Sequence, residues 1–256
     1  MMPSFFFAHG APSLVLEQHA YTDFLKSIAG LLPQPKAIVL FSAHWEANTQ
    51  RISAVDTYST IYDFSGFSPE LYRVTYPARG ERSVSDQIRL LLEEQGIPSV
   101  LDHERGLDHG AWAVLKLIYP QADIPVIALS VDPGLSNEQQ YKLGQALGAL
   151  REQDVLILGS GGTVHNLRRV NWNASAADDW ALAFDSWLQE KVEAWDTEAL
   201  FRFEELAPHA AAAVPTREHF IPLLLAMGTG DRNRKATLLH RSYQYGNLSL
   251  SGWQFD

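Results

Sequence analysis

The chain has 256 residues, 46% hydrophobic and 20% charged, an ordinary globular composition at a length that suits one large domain. Its formal net charge of −10 argues against nucleic acid, because a phosphate-binding surface concentrates Lys and Arg on one face. It has no cysteine, which excludes disulfides, a thiol nucleophile and a thiolate-held structural zinc.

The opening apolar run, Ser4–Ala8, reads as a buried strand followed by a Gly-Ala-Pro-Ser turn. It lacks a basic start and is too short for a signal peptide or a membrane span, so a cytoplasmic protein is expected. Tyr21–Leu32 has helical spacing and stops before Pro33; Ala37–Ala43 is a continuous, partly β-branched strand, and Arg51–Val55 a shorter one. Thr57–Gly80 is rich in Tyr, Phe, Gly, Pro and Ser without periodicity. A segment that long without structure of its own is expected to form a lid or a wall of a site.

Val84–Gln95 is an amphipathic helix, Ser99–Leu101 a strand, and Gly110–Tyr119 a helix before Pro120. Pro125–Ser130 is a strand, Asn137–Leu150 a helix, and Asp154–Gly159 a further buried strand running into Ser160-Gly-Gly-Thr163. Ala176–Glu193 and Glu218–Gly228 are helices; Ala236–His240 and Leu248–Phe255 close the chain as strands. No linker or internal repeat divides it, so residues 1–256 read as a single domain. Strands alternating with helices predict an α/β three-layer sandwich, a mixed central sheet with helices on both faces.

Four histidines stand in contexts suited to a site: Ala8-His9-Gly-Ala-Pro, Ser42-Ala-His44-Trp-Glu, Gly159-Ser-Gly-Gly-Thr-Val-His165 and Pro215-Thr-Arg-Glu-His219. His9 and His44 lie just beyond strand ends, where ligand sites form in open α/β sheets. Imidazoles gathered there suggest a catalytic metal bound by nitrogen and oxygen ligands; each ring alone also fits a hydrogen-bonded structural role. The glycines after Asp154–Gly159 invite a phosphate-loop reading, but the Gly-Lys-Ser/Thr ending is missing and a tight turn that presents His165 is simpler. His109 precedes a helix whose N-cap is expected to be Asp108, and His219 fits the first turn of its helix.

In order, His9-Gly-Ala-Pro-Ser, Ser42–Glu46, Ile61–Tyr72 with Tyr76-Pro-Ala, Leu107–Trp112, Gly159–Leu167, Glu218–Leu223 and Ser242–Gly246 resemble the class III extradiol ring-cleavage dioxygenases. Within that superfamily (protocatechuate dioxygenase β-subunit-like), the chain is most similar to the 4,5-DOPA extradiol dioxygenase-like branch, over nearly its whole length. The resemblance implies ring opening of a catechol with O2 at a non-haem Fe(II), held by two histidines and a carboxylate in the superfamily. His9 and His44 fall on the two histidines. The third position carries His219, with Glu218 adjacent, and that all-neutral set also suits Zn(II), which some members of the branch are described as binding. His165 matches the acid–base histidine, and is a possible fourth ligand in a substrate-free zinc form; His109 matches one that hydrogen-bonds substrate or oxygen. The Tyr58–Tyr76 segment is expected to line the ring pocket, with Tyr62, Phe64, Tyr72 and, from the closing motif, Tyr243 against the substrate. Two rival readings remain: a zinc-dependent hydrolase using the same histidines to activate water, and a non-catalytic binding protein on the same fold.

Overall fold

A computed structural model describes residues 1–256. Eight strands form one sheet: β1 (Ser4–Ala8), β2 (Ala37–Glu46), β3 (Gln50–Ser53), β4 (Ser99–Asp102), β5 (Val126–Val131), β6 (Val155–Gly161), β7 (Ala236–Gln244) and β8 (Leu248–Phe255). Their spatial order is β4-β3-β5-β2-β6-β1-β8-β7. The central four, β5, β2, β6 and β1, run parallel; β3 meets β5 and β8 meets β1 antiparallel, so the sheet is mixed.

Helices cover both faces: α1 (Ala20–Ile28), α2 (Arg82–Glu94), α3 (His109–Ile118), α4 (Asn137–Leu147), α5 (Asp179–Glu193), the short α6 (Thr197–Phe201), α7 (Phe203–Leu206) and α8 (Ala210–Ala213), and α9 (Ile221–Thr229). The central strands are predominantly apolar because both faces are covered by helices. In β1, Phe5 and Phe7 pack with Tyr21 and Leu25 of α1 and Trp112 of α3. Phe6, pointing the other way, packs with Phe184 of α5 and Leu223 and Met227 of α9. Beside it on that second face, Val39, Phe41, Ile127 and Ile157 meet α2, α4 and α9. No helix is long and apolar enough to cross a membrane.

The parallel register sets the site. Ala8 pairs with Gly161, and Ser42 with Ser160, so β1, β2 and β6 deliver their carboxyl ends to one edge. Three boundaries differ from expectation in ways that matter there. β2 continues to Glu46, placing His44 inside the strand's last turn of pleat rather than beyond it. α9 begins at Ile221, so Glu218 and His219 precede the helix. Between Thr197 and Ala213 three helices of four or five residues escape a periodicity argument, which needs a longer window. Residues 57–80 are irregular, with a 3-10 turn at Leu71–Arg73 and isolated bridges from Thr57 to Arg79 and from Thr60 to Leu107.

Candidate active site

His9 leaves β1 directly into Gly10, whose φ of +61° is left-handed backbone that a Cβ would strain. The turn brings the Gly10 carbonyl 2.9 Å from His9 Nδ1, which therefore carries the ring proton. His9 Nε2 is left with its lone pair, buried and without a hydrogen-bond partner. A buried polar atom left unsatisfied is costly, and a bound ion is one thing that removes the cost.

A carboxylate stands beside Nδ1 of each of the other two rings. His219 Nδ1 lies 2.9 Å from Glu218 Oε1, which also accepts a 2.8 Å hydrogen bond from the Thr216 hydroxyl. His44 Nδ1 lies 3.4 Å from Asp63 Oδ2. With protons held on Nδ1, the Nε2 atoms of His44 and His219 face each other at 3.3 Å, lone pair to lone pair. Two nitrogens about 2.1 Å from one ion at roughly tetrahedral angles are about 3.4 Å apart. The ligand atoms of His9, His44 and His219 all lie within 4.8 Å of one another. Burial, then the neighbouring histidines, push His9 and His219 well below the usual imidazole range. Burial and the His109 charge bring His44 to about 4. All three are neutral at pH 7, the form that binds a metal.

His109 opens α3, with Asp108 as the expected N-cap accepting from Ala111 N. Ser42 of β2 donates to that carboxylate at 2.6 Å, joining helix start to strand end. Asp63 Oδ1 accepts from the His109 backbone N–H at 2.9 Å, and Oδ2 lies 2.9 Å from His109 Nδ1. Burial raises the Asp63 carboxyl, but the His109 ring and backbone, with the His44 ring, more than reverse this and bring it to about 2. Asp63 is the functional residue that sequence reasoning missed. Its only signal was a carboxylate inside the aromatic segment.

His165 sits where the glycine turn puts it, its backbone N–H donating to the Ala213 carbonyl at 2.9 Å. Its ring stacks on His219, centroids 3.6 Å apart and planes 8° from parallel. Burial, then the His44 and His109 charges, lower it to about 4. Gly162 N donates to the His219 carbonyl at 2.8 Å, and a Cβ on Gly161 would overlap that same oxygen, so the glycines also let the His219 segment approach the sheet.

The five rings open into a cavity of about 550 Å³. Of the aromatics expected around the substrate, Phe64 lines it. Tyr62, Tyr72 and Tyr243 do not. The Tyr62 hydroxyl donates to the Val74 carbonyl at 2.9 Å, Tyr72 packs behind Phe64 at 5.2 Å, and the Tyr243 hydroxyl donates to buried Asp185 at 2.8 Å. Each turns to a partner that satisfies its ring or hydroxyl away from the histidines. Phe67, Trp172 and Tyr245 line the cavity instead.

This edge defines an α/β protein with a group of histidine and aspartate side chains able to hold a metal ion. Residues 4–255 match the model of the catalytic LigB subunit of aromatic ring-opening dioxygenase, and the chain belongs to that family. It is 41% identical to a 4,5-DOPA dioxygenase extradiol of Beta vulgaris, over 98% of this chain and 96% of that protein. It is 35% identical to one of Escherichia coli (strain K12), over 97% and 93% respectively. A crystal structure of an uncharacterized protein from Escherichia coli K12 superposes with a TM-score of 0.85 at 32% identity, covering 100% of both chains.

Proposed function

We propose that this protein is an extradiol dioxygenase that opens the ring of a catechol with O2, at a divalent metal held by the Nε2 atoms of His9, His44 and His219. The observation that carries the reading is the pair of facing Nε2 atoms of His44 and His219 beside the unpartnered Nε2 of His9. A bound Fe(II) supplies Lewis acidity that favours the catecholate and a redox route by which O2 reacts with it.

The chain's own residues do the rest. Glu218 holds the Nδ1 proton of His219 by a hydrogen bond and the Asp63 carboxylate lies 3.4 Å from Nδ1 of His44, which orients the rings and makes them stronger donors. That offsets the lack of a carboxylate among the ligands. Glu218 thus acts through His219 rather than on the ion. The His165 ring, unprotonated at rest, accepts a catechol hydroxyl proton and returns it as the ring opens. The negative charge of the catecholate beside it stabilises the imidazolium that forms. His109, its ring set by Asp63, is a hydrogen-bond partner for the bound diol, and Phe64 and Phe67 give the substrate ring an apolar wall. The buried, histidine-lined inner end excludes bulk water from these transfers.

The test is anaerobic loading with Fe(II) or Zn(II), addition of a panel of catechols, then admission of O2. The Fe(II) protein should consume one O2 per catechol and produce the yellow absorbance of a ring-opened semialdehyde, whereas the Zn(II) protein should bind catechol without O2 uptake. Absence of O2 uptake with every catechol in the Fe(II) form would overturn the assignment.

A further inference from the structure

The cavity has a second, outer half built by different residues. Leu167, Arg168, Val170 and Trp172 follow His165 in one segment, and Tyr245 faces them from the turn joining β7 to β8. Arg168 is the sole Lys or Arg in the lining. Its neighbour Arg169 is engaged over the Trp180 ring at 5.2 Å, yet the Arg168 guanidinium has no such partner. Nor does any of the protein's ion pairs include it, although carboxylates outnumber cationic side chains 30 to 20. Arg168 is exposed at the rim of the cavity, and its free guanidinium is available there to a carboxylate on a ligand.

Its backbone is held firmly. Asn166 Oδ1 accepts from the Arg168 N–H at 3.1 Å and Asn166 Nδ2 donates to the Ala212 carbonyl at 2.8 Å. Asn247 Nδ2 donates to the Arg169 carbonyl at 2.7 Å, and the Asn171 N–H to the Tyr245 carbonyl at 3.0 Å. Trp172 and Tyr245 meet with ring centroids 4.5 Å apart, an apolar flank for a short chain. With a divalent metal bound, the inner end takes the two diol oxygens of a catechol, which leaves an acid on the substrate's side chain to the mouth, where Arg168 is the one cationic side chain in the lining.

We propose that Arg168 is the specificity-determining residue of this enzyme, pairing with a carboxylate on a short side chain of the catechol and so orienting the diol toward the histidines. The proposal rests on the dioxygenase reading above. The probes are 3-(3,4-dihydroxyphenyl)propionate, its uncharged amide of the same shape, and 2-(3,4-dihydroxyphenyl)ethylamine. Each is measured two ways with the Fe(II) protein: equilibrium binding by calorimetry without O2, and kcat/KM with O2. The acid should be preferred over the amide about tenfold or more, as a charge-assisted hydrogen bond allows, and the preference should shrink as salt is raised. Arg168→Met should abolish the preference in both measurements, Arg168→Lys should keep part of it, and Arg168→Glu should turn it toward the amine. An acid-to-amide ratio that stays the same in Arg168→Met overturns the proposal while leaving the dioxygenase assignment standing. Binding of the acid with the predicted Arg168 dependence, but no O2 uptake from any probe, sinks the dioxygenase assignment and keeps Arg168 as a carboxylate site.

Discussion

The inner wall of the cavity hangs on the ends of strands and helices, whereas the mouth hangs on one irregular segment, 167–172, and the Tyr245 turn. His9 and His44 issue from parallel neighbours of β6, and His219 is pinned to Gly162 at the end of that strand. The His9 and His219 rings are buried with their Nδ1 atoms hydrogen-bonded, and His44 is partly buried beside Asp63. Arg168 and Trp172, by contrast, are exposed, Trp172 to 70%. The groups proposed to share one ion are placed by the rigid sheet, which can hold ligand atoms to within tenths of an ångström. Groups that choose among substrates are placed on a loop, where a change of side chain disturbs nothing beneath it.

The sharpest way to break that contrast is to remove an inner ligand. His44→Ala should lower metal affinity by more than the roughly 10–100-fold that loss of a supporting partner costs, with the circular dichroism spectrum unchanged. Metal content after dialysis against a weak chelator reads this directly, and full occupancy would remove His44 from the ligand set. His165→Gln tests the proposed division between a ring that moves protons and the rings that hold the ion. It should keep metal and catechol yet lose on the order of a hundred- to ten-thousand-fold in turnover. If it loses metal as His44→Ala does, the site has four histidine ligands.

The inner wall was largely legible in the sequence, for a physical reason. A continuous apolar run fixes a buried strand, a strand fixes an edge, and His9, His44 and His165 follow such runs within a few residues. The family resemblance then gave His219, already marked by its context, the third ligand position and gave His109 a role. The mouth was not legible in that way. In a segment without periodicity, whether a ring faces inward depends on distant partners, and nothing local says that Tyr62 will turn to Val74, or Tyr243 to Asp185. Asp63 was hidden for the same reason, since its roles are to two histidines on separate elements. Arg168 lies three residues past His165, but no spacing rule distinguishes it from Arg169.

A smaller effect is expected one layer behind the ligands. Glu218→Gln keeps the shape and removes the charge that holds the His219 Nδ1 proton, so metal affinity should fall by about 10–100-fold, less than in His44→Ala. Competition with a fluorescent chelator measures it. Wild-type affinity in this variant would mean that Glu218 serves only the Thr216 turn.

The mildest test compares the two regions by titration of the metal-free protein. Burial brings His165 from 6.5 to about 4 and lowers His9, His44 and His219 as well. Between those values the unfolded chain binds protons that the folded site refuses, so stability rises with pH from about 4 to 6.5 and falls on acidification through the same window. Asp63 acts in the same sense but lower down: its folded carboxyl, near 2 against 3.8, adds stability that is lost as the pH falls through that range. Each buried ring contributes a slope on the order of 1 kcal/mol per pH unit while it is the difference between the two states. Urea midpoints measured from pH 4 to 7 should therefore climb, and His165→Gln should climb less steeply by one ring's share. Leu167, Val170 and Trp172 have nothing to titrate, so Trp172→Phe should leave the slope as it is. A slope unchanged by His165→Gln would show that this ring is solvated in the metal-free protein, and the inner wall would then be looser than its packing against His219 implies.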